Sequence, residues 1–337
     1  MKAGIIGCGA IGTKRANVIK APHEITALCD TDISRAHSLA KKFNLKNVFI
    51  TDDYNELLTK ADIDVAIVST IVKYSAPITL CAVRNNKHVI VEKPAGMNAD
   101  ELTEIINISR EKNLTVKVGF NHRYHPAMLK AKELLDSYPD KLGSVMFIRG
   151  RYGHGGRTGY NHEWRADPNL SGGGELIDQG VHLIDLSRWF MGGNFTEING
   201  LACNYFWDMP VDDNAFLCLR TDDGRVSWLH VSCTEWKNMF SFEIYCKKAK
   251  LMIEGLGGSY GTERLYYYQM LPEMGPPETV IYEFPRGDSS WLLEWNEVVN
   301  AIEHKQPLKM GSISDAYEAL KIVGSVYQKG ITHHDNH

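Results

Sequence analysis

The sequence predicts an α/β domain built on a parallel sheet, followed by an α+β domain with a large, mostly antiparallel sheet. Two observations predict this. Strand-like and helix-like segments alternate over residues 1–120. From about residue 195 to 285, strand-like runs then succeed one another with no helix between them. A third observation, the stretch "GIIGCGAIG" at residues 4–12, places a glycine loop after the first strand.

The elements follow in order. "KAGIIGC" is a short apolar strand and "GTKRANVIKA" has helical spacing. "EITALCD" is a strand, and "ISRAHSLAKKFN" is a helix capped near Thr31 or Asp32. "DVAIVST" is a strand, "SAPITLCAVRNN" a helix and "HVIVEK" a strand. "NADELTEIINISREKN" is a helix that Asn98 can cap, and "LTVKVGF" is the next strand. Beyond "GFNHRYHP" come the helix "PAMLKAKELLDS", the strand "VMFIRGRYG" and the polar loop "HGGRTGYNHEWRADPNLSGGG". The helix "ELIDQGVHLIDLSRWF" follows. Six strands come next: "EINGLACNYFW", "NAFLCLRT", "RVSWLHVSCT", "FSFEIYCK", "AKLMIEGL" and "RLYYYQML". "WLLEWNEVVNAIEH" and "SISDAYEALKIVGSVYQKG" close the chain as helices, and the tail "HHDNH" is expected to fray rather than bind metal. The expected domains are 1–120, 121–290 and a helical segment 291–332.

Composition narrows the function. The chain has 337 residues, 44% hydrophobic and 23% charged, enough for a sizeable core. A net charge of −4 gives no basic footprint for nucleic acid. No apolar run is long enough to span a bilayer, and glycines interrupt the first apolar stretch where a leader would need continuity. The seven cysteines are odd in number and lack a C-x-x-C pair, and several sit in strand-like runs. They read as reduced thiols of a cytoplasmic protein, with no metal site expected.

The glycine loop has the context a dinucleotide needs: strand, loop, helix, strand, then an acid at Asp30. Gly7 permits the tight turn, Gly9 lets the backbone approach a pyrophosphate, and Gly12 lets helix and strand pack closely. Ala10 and Ile11 complete the cradle at the helix N-terminus. Asp30 accepts from the ribose hydroxyls and repels a 2′-phosphate, which favours NAD over NADP. Arg35 softens that preference.

Two further signatures follow. Glu92-Lys93-Pro94 ends the strand "HVIVEK", and Asp178 and His182 stand four apart in "GGGELIDQGVHLIDL". With the glycine loop, "GFNHRYHPA" and the closing helix, the whole chain resembles the Gfo/Idh/MocA family of sugar and inositol dehydrogenases. The resemblance implies a Rossmann domain and an open, largely antiparallel sheet domain, with the last helices packing back near the first domain. It implies a homodimer or homotetramer through the exposed sheet face, which the aromatic segments "NYFWDM" and "RLYYYQM" suit. It also implies a cis Lys93-Pro94 bond, and cofactor contacts at Ser69, Thr70, Glu92 and Lys93.

The residues suit hydride transfer to or from a secondary alcohol. The hydroxyl proton needs a base, and His182 titrates near neutral pH. Asp178, one turn earlier, orients that imidazole or binds a neighbouring hydroxyl, and Asp185, one turn later, is a second orienting carboxylate. Lys93 stabilises developing alkoxide charge. The loop 154–174 offers His154, Arg157, His162, Trp164 and Arg165 to the substrate, with Arg123 and His125 before it. Its cations tilt the expected substrate toward a sugar acid or a nucleotide-linked sugar, with free sugars and inositols as alternatives. Two rival functions remain at this stage: a glycoside hydrolase that oxidises its sugar transiently with bound NAD, and a non-catalytic dinucleotide sensor.

Overall fold

The fold is given by a computed structural model that describes residues 1–333; of the tail "HHDNH", only His333 lies within them. The chain divides into two compact units. Among the described residues, the first comprises 1–120, 169–172 and 291–320, and the second 121–168, 173–290 and 321–333.

The first unit begins β1 (Lys2–Ile6), α1 (Ala10–Val18), β2 (Glu24–Cys29), α2 (Ile33–Lys42), β3 (Phe49–Thr51) and α3 (Tyr54–Lys60). It continues β4 (Val65–Val68), α4 (Val72–Arg84), β5 (His88–Val91), α5 (Asp100–Glu111) and β6 (Val116–Val118). The strands form one parallel sheet in the order β3-β2-β1-β4-β5-β6. β4 and β5 are buried on both faces, or nearly so, and read as unbroken Val/Ile/Ala runs. The strand order reverses between β1 and β4, so a ligand is expected beyond their C-terminal ends. Gly7 follows β1 and Ser69 follows β4, at that point.

Local chemistry sets the helix ends. Asp32 caps α2 by accepting from Ser34 N, and Asn98 Oδ1 accepts from Glu101 N in the first turn of α5. α4 starts at Val72, earlier than the sequence reading, so Pro77 lies inside it instead of in its first turn.

The second unit opens with a 3-10 turn (Asn121–Tyr124), followed by α6 (Pro126–Ser137), a single turn α7 (Pro139–Leu142) and β7 (Val145–Gly153). The loop after β7 carries two 3-10 turns, Tyr160–His162 and Trp164–Ala166, and is followed by α8 (Pro168–Ser171), which from Asn169 on belongs to the first unit. The helix expected from residue 175 starts with a π turn, Leu176–Gly180, and becomes α9 at Val181–Met191. Then come β8 (Glu197–Asn204), β9 (Asn214–Arg220), β10 (Val226–Ser232), β11 (Met239–Cys246), β12 (Ala249–Glu254), β13 (Glu263–Gln269) and β14 (Glu278–Phe284). α10 (Ser290–Glu303), which from Trp291 on belongs to the first unit, α11 (Ile313–Tyr327) and β15 (Ile331–His333) end the described chain. α11 is shared, passing from the first unit to the second after Leu320.

The second sheet has nine strands, ordered β14-β13-β12-β11-β7-β10-β9-β8-β15, and is antiparallel except at β10–β7 and β15–β8. β10 alternates up to its last residue: Ser227, Leu229 and Val231 are buried, whereas Trp228 is 57% exposed. α9 packs against β7 and β10 and buries Leu183, Ile184 and Leu186. The other face of the sheet leaves Phe147, Leu201, Trp228 and Ile281 exposed. All seven cysteines are free, and burial pushes the Cys8 and Cys29 thiols up to about 12.

Candidate active site

Three residues turn the chain between β1 and α1. Gly7 has φ +96°, and its N–H donates to Cys29 O at 2.8 Å. A Cβ on Gly12 would run into the Gly7 carbonyl oxygen, so α1 can lie this close to the loop only without one. Gly9 differs: a Cβ there would meet nothing within 4 Å. The N–H groups of Ala10, Ile11 and Gly12 lie in the first turn of α1 and have no intrahelical acceptor. An open glycine and free N–H groups at the positive end of a helix suit a pyrophosphate.

The neighbouring groups brace this cradle. Ser69 Oγ donates to Gly7 O at 2.8 Å. Thr70 Oγ1 is buried with no hydrogen-bond partner among the described residues. Asp30 Oδ2 accepts from Cys8 N at 2.8 Å and Oδ1 from Asp32 N at 3.0 Å. Asp30 therefore shapes the loop itself and keeps spare acceptor capacity. Arg35 is paired with Asp32 at 3.3 Å on the surface. It lines, with Gly9, Thr13, Ser34 and Lys42, a cavity of about 260 Å³ between α1 and α2. Open glycine, unpartnered hydroxyl and ribose acceptor together fit a dinucleotide.

The E-K-P segment ends β5. Lys93 is half-buried and the Lys93-Pro94 bond is cis. Glu92, expected at the cofactor, has a different partner: Arg15 of α1, with Nε and Nη2 both 2.6 Å from Glu92 Oε1. Arg15 Nη1 also donates to Glu294 Oε2 of α10 at 2.6 Å. Burial raises the Glu92 carboxyl above its ordinary value, and the charge on Arg15 opposes that rise.

In the second unit, Asp178 lies on the π turn and His182 in the first turn of α9. His182 is 2% exposed and stacks on His122, ring centres 3.7 Å apart at 13°. The start of this helix is held by Asp212, which accepts from Gly174 N at 3.0 Å, Leu176 N at 2.8 Å and Tyr327 Oη at 2.7 Å. Asp178 accepts from Arg165 Nε at 3.3 Å, and Arg165 lies over the Trp164 ring at 4.5 Å. His154 Nε2 lies 3.2 Å from Glu175 Oε1, which also accepts from Tyr160 Oη at 2.9 Å. Burial works against a charged His154, but the hydrogen bond and charge of Glu175 outweigh it and raise the imidazole's value. Burial and Glu175 together push the Tyr160 phenol up.

Other expected site residues have partners within the protein. Arg123 is 3% exposed and clamps Asp185 through Nε–Oδ2 at 2.7 Å and Nη2–Oδ1 at 2.5 Å. Asp185 is thereby engaged by Arg123. His125 is buried against Glu263 at 3.0 Å. Arg157 is exposed and paired with Glu163 at 2.7 Å, and His162 is exposed. Both arginines of the loop thus have carboxylate partners.

Two family models match this chain. The oxidoreductase family with an NAD-binding Rossmann fold matches residues 1–120, and the Gfo/Idh/MocA C-terminal domain matches residues 128–252. The chain belongs to the Gfo/Idh/MocA family. Among curated proteins it is similar to the uncharacterized oxidoreductase YrbE of Bacillus subtilis (strain 168), 30% identical over 66% of this chain and 64% of that protein. It is also similar to levoglucosan dehydrogenase of Pseudarthrobacter phenanthrenivorans, 27% identical over 56% and 48%. The matches thus span less than two-thirds of those relatives' lengths. A solved levoglucosan dehydrogenase in complex with NADH superposes with a TM-score of 0.86 at 20% identity, covering 98% of this chain and 97% of that one, and shows the shared fold.

Within this Gfo/Idh/MocA chain, sequence reasoning missed several residues around the site. Glu175 is three before Asp178 and seven before His182, a spacing that points to one helical face. Tyr152 is an inward residue of β7 and carries a phenol raised by burial and by Tyr260. Arg15 sits three residues after Gly12, yet nothing near it in sequence names Glu92 or Glu294 as partners.

Proposed function

We propose that this protein is an NAD-dependent dehydrogenase acting on a secondary hydroxyl of an uncharged, polyhydroxylated sugar or inositol. The observation that carries the reading is the buried His182, in the first turn of α9 and one turn after Asp178, in a chain whose α1 offers a dinucleotide cradle. NAD, when bound, supplies the hydride acceptor. Gly9 and the first turn of α1 hold the pyrophosphate, and Asp30 holds the adenosine ribose. His182 takes the hydroxyl proton as the carbon loses its hydride. Lys93 donates to the reacting oxygen and stabilises its developing negative charge. Asp178, paired with Arg165 at 3.3 Å, accepts from a neighbouring hydroxyl.

The substrate class follows from charge. Arg157 is paired with Glu163, Arg165 with Asp178, and His154 with Glu175. An anionic sugar would have to displace these carboxylates, whereas a neutral polyol can bond to both members of each pair. The open sheet face, with Phe147, Leu201, Trp228 and Ile281 exposed, is the surface we assign to self-association as a dimer or tetramer. Seven free thiols suit a cytoplasmic setting, and among the described residues no helix is long and apolar enough to cross a membrane.

The test is NADH formation from NAD with a panel of inositols, D-glucosides, levoglucosan, sugar acids and nucleotide sugars. Turnover with a neutral member and none with the anionic members supports the reading. Turnover confined to nucleotide sugars or sugar acids overturns the substrate class, and NAD-dependent glycoside cleavage without net NADH overturns the reaction.

A further inference from the structure

The first unit contains a buried chain of four charged side chains that the proposed mechanism does not use. Arg15 is 1% exposed and bridges Glu92 and Glu294, at 2.6 Å on each side. Glu294 is fully buried, and its Oε1 lies 3.5 Å from Nζ of Lys117, also fully buried. Lys117 Nζ donates to Met310 O at 2.7 Å. Two cations and two carboxylates balance, so the chain is neutral as a whole. It joins α1, the end of β5, β6 and α10.

Two features show how tightly this space is fitted. A Cβ on Gly119 would lie 2.7 Å from Glu92 Oε2 and 3.0 Å from Arg15 Nη2. A Cβ on Gly311 would overlap Lys117 Nζ. Trp291 adds an indole ring 4.5 Å from the Arg15 guanidinium. The guanidinium is therefore fixed by two carboxylates and a ring face, and its planar fork leaves Glu92 little freedom.

Glu92 is covalently followed by Lys93. Arg15 belongs to the same helix whose first turn forms the dinucleotide cradle. We propose that Arg15 and Glu294, acting through Glu92, are positioning residues for Lys93. They set the Lys93 ammonium in register with the cradle on α1. This inference rests on the role given to Lys93 in hydride transfer, but not on the identity of the sugar. A buried ion chain is an expensive way to obtain stability alone, because hydrophobic replacements often do as well. Its value here is geometric: it ties the cradle helix to the segment that carries the lysine.

The test uses two variants that delete no charge, Gly119→Ala and Arg15→Lys. The first presses on Glu92; the second keeps the cation but loses the fork. The first readout is the rate at which an amine-acylating reagent labels Lys93, resolved by mass spectrometry against Lys87 and Lys112 as internal references. The second is the dissociation constant for NAD by calorimetry. The third is kcat with any sugar the wild type turns over. A misplacement approaching 1 Å is expected to lower kcat by about tenfold to 10²-fold. The Lys93 labelling rate should change by about threefold or more relative to the references, while NAD affinity stays within about threefold, since the cradle N–H groups are untouched. Wild-type labelling and wild-type kcat in both variants would overturn the proposal. So would parallel losses of labelling pattern, NAD affinity and melting temperature, which would mark the chain as structural only. If the wild type turns over no sugar, the functional reading fails, and the labelling comparison still decides the positioning role.

Discussion

Gly9 and Gly12 stand three residues apart, yet alanine should do opposite things at the two positions. At Gly12 the new Cβ would overlap the Gly7 carbonyl oxygen and lie 3.1 Å from Ser69 Oγ. The first obstacle is backbone, which cannot swing aside, so α1 must move away from β1. Overpacking of this kind costs about 1–3 kcal/mol. For a domain of this size that is a fall of about 2–10 °C in melting temperature without NAD. At Gly9 the Cβ meets no protein atom within 4 Å, and φ is −76°. The poorer N-cap costs about 0.5–1 kcal/mol, and the lower entropy of the unfolded chain returns about 0.4–1 kcal/mol. The melting temperature of Gly9→Ala should therefore scarcely change. The same Cβ does stand where the account puts the pyrophosphate. NAD affinity should fall by about tenfold to 10²-fold, or about 1.4–2.7 kcal/mol. Thermal melts without ligand and calorimetric titration with NAD separate the two effects. A Gly9→Ala variant that binds NAD with wild-type affinity would refute this use of the loop.

Three other outcomes are expected. Lys93→Met should keep NAD affinity within about threefold and lower turnover by about 10²–10⁴-fold, as steady-state kinetics would register. Asp185→Asn removes the charge that compensates buried Arg123, so urea unfolding should show a loss of about 3–5 kcal/mol, and a changed KM with full stability would restore Arg123 to the substrate. Burial pushes the Asp212 carboxyl up to about 6 from an ordinary 3.8, so the folded chain binds that proton more tightly than the unfolded chain does. Its contribution to stability is complete below the lower value and lost as pH rises through the upper one. The difference in unfolding free energy between wild type and Asp212→Asn should accordingly shift in the wild type's favour by up to about 3 kcal/mol on acidification from neutral pH, and a flat difference would contradict the assignment.

What the sequence revealed was mostly what neighbours in the chain determine. The alternation of strands and helices up to Phe120 is set by local periodicity, and the parallel sheet follows from it. Asp30 is legible because it ends β2 at a fixed distance from the glycine loop. β3, α3, β14 and β15 were not read: β3 and β15 are three residues long, α3 spans only seven, and β14 is "ETVIYEF", an edge strand with few buried positions. Side-chain partners across long separations were the harder matter. Nothing near Arg123 in the chain names Asp185 as the partner of its guanidinium. Nothing near Glu92 names Arg15 as its partner. The loop arginines suggest an anionic substrate only while their carboxylates are out of sight. The π turn before α9 has no sequence pattern that separates it from an ordinary helix start.

The most direct test of the central claim is the fate of a carbon-bound hydrogen. A neutral sugar or inositol deuterated on its ring carbons would be incubated with the protein and NAD, and the nicotinamide analysed by mass spectrometry. The account predicts reduced cofactor carrying one deuterium for each alcohol oxidised, and no transfer in His182→Asn. Product formation with no deuterium on the nicotinamide would contradict hydride transfer as the reaction of this protein.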